Sequence, residues 1–176
     1  MLVTDTGVFS QHGLDKGTAV LLHAVEDEIP HDLAPGSVVC DLGCGTGAIT
    51  LALAVTYPQC TVLGVDINER ARALCEVNAK ANGITNVRVV HPDDVDDATQ
   101  IAVLWSNPPI RIGKDALHSL LLTWLSRLTP TGHARLVVSK NLGADSLSQW
   151  LTHEGYPTTK MSSSKGFRIL GVQPHQ

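Results

Sequence analysis

The four cysteines of this chain, Cys40, Cys44, Cys60 and Cys75, contain no C-x-x-C pair, and its eight histidines show no i, i+4 spacing. These absences argue against a zinc site and assign no metal; the cysteines read as free buried thiols. No apolar run approaches a membrane span, and Met1-Leu2-Val3-Thr4-Asp5 has neither the charged nor the apolar segment of a secretory leader. The expectation is a cytoplasmic protein with no membrane partner. Positive charge is not in excess either, the net value being −4, which argues against a strongly basic nucleic-acid binder. That sum hides an asymmetry. Residues 1–106 carry −9 and residues 107–176 carry +5, so the half beginning at Asn107 can present a basic surface beside an acidic one. There is no internal repeat, linker or low-complexity segment.

What is present suits one domain over 1–176: hydrophobic residues make up 43% and charged residues 17%. Residues 1–35 read as an irregular lead-in followed by a helix, capped by Asp15 and running to about Val25. Residues 36–176 read as an α/β core. Short apolar runs place strands at 38–40, 61–66, 87–90, 101–105 and 134–138. Helical spacing, as in Leu117, Leu120, Leu121 and Trp124, places helices at 48–56, 69–82, 114–128 and 144–153. Two further strands, 158–161 and 167–172, read as a hairpin around residues 162–166. Alternating strands and helices mean a mostly parallel sheet with helices on both faces and one late strand entering antiparallel.

At Val38-Val39-Cys40-Asp41-Leu42-Gly43-Cys44-Gly45-Thr46-Gly47-Ala48 the chain turns from strand to helix. Gly43, Gly45 and Gly47 allow a sharp turn and a close backbone approach to a ligand, and the helix N-terminus behind them offers N–H groups. This is a cofactor loop. Gly43-x-Gly45-x-x-Ala48 with Asp66 downstream also satisfies the dinucleotide fingerprint, which keeps a nicotinamide cofactor open. Two features favour S-adenosylmethionine: Asp41 before the first glycine suits an amine-bearing cation, and Ser106-Asn107-Pro108-Pro109 closes the fourth strand. Asp41, Asp66, Asp93 and Asn107 end successive strands and should line one rim, where ligands of open α/β sheets bind. Asp66, followed by Ile67, can accept hydrogen bonds from both ribose hydroxyls, or cap the next helix. Asp93, with Asp94 beside it, is placed for an adenine amino group; the alternative is a solvated acidic turn.

Two successive prolines cannot continue a central strand, so the chain must leave the sheet at Pro108-Pro109. The Asn107 side-chain oxygen and the Pro108 carbonyl can both accept from one planar NH₂, orienting its lone pair toward an incoming methyl group. That is catalysis by positioning, without a protein nucleophile.

These motifs resemble the "methyltransferase small" family of class I S-adenosylmethionine-dependent methyltransferases, which includes ribosomal small-subunit RNA guanine-N2 methyltransferases. The resemblance runs through Gly7-Val8-Phe9-Ser10, Asp15-Lys16-Gly17-Thr18, the span from Asp41 to Gly47 with Cys44, Asp66, Asn107-Pro108-Pro109-Ile110-Arg111, Gly113-Lys114 and Lys165-Gly166-Phe167-Arg168. It implies a seven-stranded Rossmann-like sheet. It also implies that Phe9 and Lys16, Gly17 and Thr18 close over the methionine end of the cofactor. Many amino-methylating relatives carry Phe or Tyr where this chain has Ile110, so the expectation is that Ile110 packs its aliphatic face on the substrate ring, with Phe9 or Phe167 as the other source of an aromatic contact. Guanine-N2 relatives often carry an additional recognition domain, which is not seen here.

Arg111, Lys114, Lys140, Lys165 and Arg168 are the cations expected nearest the rim, where they would contact phosphates. The expected activity is N-methylation of an exocyclic base amine in RNA, with rRNA or a ribosomal particle as partner. Rival readings are methylation of a protein glutamine amide and cofactor binding without catalysis.

Overall fold

Valine- and leucine-rich runs without polar alternation build the centre of the sheet, because a strand covered by helices on both sides has no face to give to water. A computed structural model of the chain describes residues 14–24 and 32–176. Its elements are α1 (Lys16–Ala24), β1 (Val38–Leu42), α2 (Ala48–Thr56), β2 (Thr61–Val65), α3 (Glu69–Ala81), β3 (Val87–Val90), β4 (Ile101–Ser106), α4 (Lys114–Leu125), β5 (Leu128–Ser139), α5 (Ala144–His153), β6 (Thr158–Ser164) and β7 (Phe167–Val172). They form a seven-stranded sheet in the order β3-β2-β1-β4-β5-β7-β6. The first five are mutually parallel, and β7 runs antiparallel to both β5 and β6.

Successive strand residues face opposite sides and meet different helices. Val39, Val62, Val103 and Val137 pack with Leu21 of α1 and with Ile49 and Leu53 of α2. Cys40, Leu104, Leu136 and Leu170 pack with Leu117 and Leu121 of α4 and with Leu147 and Leu151 of α5. Fully burying a side chain of this size contributes roughly 1.5–3 kcal/mol. Among the described residues, no helix is long and apolar enough to cross a membrane.

Several boundaries differ from the sequence expectation. Asp41 lies inside β1, opposite Gly64 of β2 and Trp105 of β4, because both parallel partners extend β1 to Leu42. Helix α4 ends at Leu125, short of the expected residue 128, and β5 begins at Leu128, well before the expected 134. Ile101 pairs with Leu128 and Val103 with His133, so two steps along β4 answer to five along β5. Pro130 and Gly132, expected in a turn before the strand, sit in that bulge. The terminal hairpin is also tighter than expected. Lys165 (φ 50°) and Gly166 (φ 83°) form a two-residue turn with both φ values positive, which matches the twist of β6 and β7.

Gly47, at the start of α2, has φ 96°, and a Cβ there would stand 2.7 Å from Sγ of Cys75 on α3. Gly47→Ala combines a left-handed backbone cost of about 1–2 kcal/mol with that collision. Urea unfolding of Gly47→Ala should therefore show a loss of about 2 kcal/mol or more, with the m-value unchanged.

Candidate active site

The strand order reverses between β1 and β4, and the candidate site stands at that switch point. Leu42 is opposite Val65 on one side and Ser106 on the other. The next residues along the three strands, Gly43, Asp66 and Asn107, therefore leave the sheet side by side. Asp66 N donates to the Val90 carbonyl at 3.3 Å, which brings the end of β3 to the same rim.

The loop after β1 is tied down by its own amides. Gly43 N and Cys44 N both donate to the Val65 carbonyl, at 2.8 and 3.0 Å, and Gly47 N donates to the Cys44 carbonyl at 2.8 Å. Gly45 N donates to Oδ2 of Asp66 at 3.0 Å. These N–H groups thus brace the loop. What the loop leaves open is space, since a Cβ on Gly43 or Gly45 would meet nothing within 4 Å. Cys44 and Gly47 are buried. A hydrogen bond with Cys75, with burial, pushes the Cys44 thiol far above its ordinary pKa.

Asp41 lies behind this loop at 0% exposure. Thr50 Oγ1 donates to its Oδ2 at 2.6 Å, while Oδ1 is buried without a hydrogen-bond partner among the described residues. Burial raises its pKa from 3.8 to about 7, the Thr50 hydrogen bonds opposing the shift. At the end of β2, Asp66 Oδ1 accepts from Asn68 N at 2.9 Å. Asn68, not Asp66, caps α3, accepting from Arg70 N and Ala71 N. Arg72 Nη1 donates to the carbonyls of Asp66 and Ile67, at 2.8 and 3.0 Å, and the Ile67 side chain is 74% exposed. Asp93 and Asp94 occupy an exposed 3-10 turn, Pro92–Asp94, whose N-cap is His91. Arg127 holds the rest of the acidic stretch, with Nη1 on the Asp96 carbonyl at 2.7 Å and Nη2 on Asp97 Oδ1 at 2.9 Å.

Asn107 meets a partner 92 positions earlier in the chain. Its Nδ2 donates to Asp15 Oδ2 at 2.7 Å and to Thr18 Oγ1 at 3.3 Å, and Thr18 N donates to the same Asp15 oxygen at 3.0 Å. Gly17 and Thr18 are buried there, and Lys16 is exposed. A Cβ on Gly17 would stand 3.0 Å from Cε1 of Phe167, so Phe167, expected to face a substrate, packs on α1. The Pro108 carbonyl, expected to be free, accepts from Ile110 N at 2.8 Å, and that of Pro109 from Ile112 N at 3.1 Å. A 3-10 turn, Ile110–Ile112, uses these oxygens, and each keeps its second lone pair. Ile110 packs against the core, leaving Ile112 as the exposed aliphatic side chain. Arg111, Lys114, Lys140 and Lys165 are exposed with no ion pair among the described residues. Arg168 leaves the expected phosphate-contacting set: it is 22% exposed and pairs at 3.3 Å with Asp145, which Lys160 also holds at 2.8 Å. Phe9 lies outside the described residues. No group of three His, Cys, Asp or Glu among the described residues could hold a metal ion.

The model of the methyltransferase small domain matches residues 1–171. The chain belongs to that family. It is 34% identical over 170 residues to the uncharacterized protein YbxB of Bacillus subtilis (strain 168), covering 95% of this chain and 82% of that protein. It is 32% identical over 177 residues to the ribosomal RNA small subunit methyltransferase C of Pseudomonas aeruginosa (strain LESB58), covering 98% of this chain but 50% of that one. The chain thus spans about half the length of such curated rRNA methyltransferases. Among solved structures, a T. thermophilus 16S rRNA N2 methyltransferase in complex with AdoMet and guanosine superposes with a TM-score of 0.83 at 23% identity, over 96% of this chain and 46% of that one. A ribosomal-protein methylase from Lactobacillus delbrueckii subsp. bulgaricus superposes with a TM-score of 0.73 at 21% identity, over 93% and 81%. The methyltransferase fold is shared by RNA-directed and protein-directed enzymes, so substrate has to be argued from the site.

Within this methyltransferase domain, sequence reasoning missed Thr50 and Arg72, and assigned Asp15 only to capping. Thr50 is a threonine one turn into a helix that follows a buried aspartate, which is the available hint. The raised pKa of Asp41 has a stability consequence. Between about pH 4 and pH 7 the folded domain holds a proton that the unfolded chain has released, so stability falls as pH rises through that window and levels off above it. Asp41→Asn should flatten this slope and raise stability at pH 8 by on the order of 3 kcal/mol, as read by urea unfolding at pH 5 and pH 8.

Proposed function

We propose that this chain is an S-adenosylmethionine-dependent N-methyltransferase acting on an exocyclic base amine in RNA, of the rRNA guanine-N2 type, in the cytoplasm. The observation that carries the reading is the juxtaposition of Asn107-Pro108 with the open glycine loop and Asp66 at one sheet edge. Three features fit the cofactor: unfilled space over Gly43 and Gly45, an unpartnered carboxylate oxygen on buried Asp41, and unused lone pairs on Asp66. Asp41 would face the amine-bearing end. Asp66 would take the ribose hydroxyls, Ile67 an adenine face, and Asp93 or Asp94 the adenine amino group. Lys16, Gly17 and Thr18 would border the methionine end.

When bound, S-adenosylmethionine supplies a sulfonium methyl group that an amine lone pair can take, releasing a neutral thioether. Asn107 Oδ1 and the second lone pair of the Pro108 carbonyl accept the two amine N–H bonds and hold the nitrogen in line. As the nitrogen becomes tetrahedral and positive, those two oxygens stabilise the charge, and water then takes one proton. Exposed Arg111, Lys114, Lys140 and Lys165 favour phosphates, and hence RNA over a glutamine side chain.

Asn107→Ala should lower the rate of labelled methyl transfer to small ribosomal subunits by about 100-fold or more, with S-adenosylhomocysteine affinity held within about threefold. Subunits for that assay come from cells lacking the protein, and mass mapping of their RNA identifies the methylated nucleotide. Label in ribosomal protein instead would support the glutamine reading, and surviving activity would remove Asn107 from the chemistry. Lys114→Ala with Lys140→Ala should reduce the dependence of log affinity on log salt by about 1.5–2, if both contact phosphate.

A further inference from the structure

An asparagine that must accept hydrogen bonds from a substrate faces a difficulty, because its amide has an oxygen and an NH₂ group of nearly equal shape. A half-turn about its last torsion would present donors where an acceptor is required. In this protein the amide nitrogen faces two acceptors. Asp15 Oδ2 takes Nδ2–H at 2.7 Å and Thr18 Oγ1 takes it at 3.3 Å. A carboxylate has no proton to give, so a flipped Asn107 would set its oxygen against a negative charge. Among the described residues nothing donates to Asn107 Oδ1.

We propose that Asp15 is a positioning residue for methyl transfer: its carboxylate locks the Asn107 amide with the oxygen toward the acceptor substrate, so the site takes an NH₂ donor. This rests on the assignment of Asn107 as the amine-binding group. The lock is local at neither end, since the two residues lie 92 positions apart. It is supported from beneath: Gly17, between Asp15 and Thr18, has no side chain, which lets the start of α1 settle against Phe167 of β7. Asp15 also caps α1 through Thr18 N at 3.0 Å. A charge-assisted bond of this kind is about twice as strong as a neutral one.

Asp15→Ser separates the two roles. Serine caps a helix as well as aspartate but is too short to keep both bonds. With the lock real, Asp15→Ser melts within about 5 °C of wild type, binds S-adenosylhomocysteine within threefold, and keeps KM for small ribosomal subunits. Its kcat falls about 10- to 100-fold, and the Asn107 side-chain NH₂, rigid in ¹⁵N relaxation of the wild type, becomes mobile. Asp15→Asn, whose oxygen can still accept both bonds, restores kcat to within about fivefold and restores the rigid amide. Unchanged kcat in Asp15→Ser, or an Asn107 amide as mobile in wild type as in the variant, overturns the proposal. Should Asp15→Ser unfold, Asp15→Asn decides alone. It should shift the Asn107 amide resonance and lower kcat two- to fivefold, and no change in either overturns the lock. If wild type methylates neither RNA nor ribosomal protein, the assigned activity fails, and the relaxation comparison still decides whether Asp15 holds the amide.

Discussion

Strand β1 is paired on both edges at once, and the site depends on that constraint. Parallel pairing sets Leu42 level with Val65 and with Ser106. Because successive residues on parallel neighbours emerge together, one register fixes where Gly43, Asp66 and Asn107 leave the sheet. A slip by one residue on either side would turn every side chain of the slipped strand to the other face and destroy both hydrophobic layers. The geometry of the proposed chemistry is therefore held by burial of Val39, Cys40, Val103 and Leu104, none of which touches the rim.

The polar groups around the loop divide into those that brace and those that remain available. Val65, Asp66 and Cys44 take the loop amides, so the turn is held before any ligand arrives. Thr50 satisfies one oxygen of Asp41, and the other is buried and unpaired among the described residues, a desolvation cost that a cationic partner can offset. Arg127 and Arg72 secure the two acidic segments from behind through backbone carbonyls. Preorganisation of this kind reduces what binding must spend on ordering the site.

Much of this was legible in the sequence because the signals are local. The buried strands, the glycine turn, the departure of the chain at Pro108-Pro109 and the antiparallel β7 all follow from runs of a few residues, and family membership agrees with them. What was not legible depends on distant partners. Asp15 reads as a helix cap because its contact with Asn107 spans 92 positions of the chain. Arg168 reads as a free cation because Asp145 lies on α5, one helix earlier. Helical spacing carries α4 three residues past its end at Leu125, since leucine and arginine suit a helix well and the bulge opposite Ile101 is a tertiary fact. The Pro108 carbonyl was expected to be free because a one-dimensional reading does not show the chain tightening into a 3-10 turn at Ile110.

The insertion of β7 between β5 and β6 bears on how the protein is made. Strand β5 receives its second neighbour from residues 167–172, and Phe167 in that strand is the wall against which α1 rests. During synthesis, the first five strands can pair as they emerge, but one flank of β5 stays bare until that last segment clears the ribosomal tunnel. A nascent chain stalled before that point would carry a glycine loop already formed, beside an α1 packed on β5 and α2 but lacking the Phe167 ring.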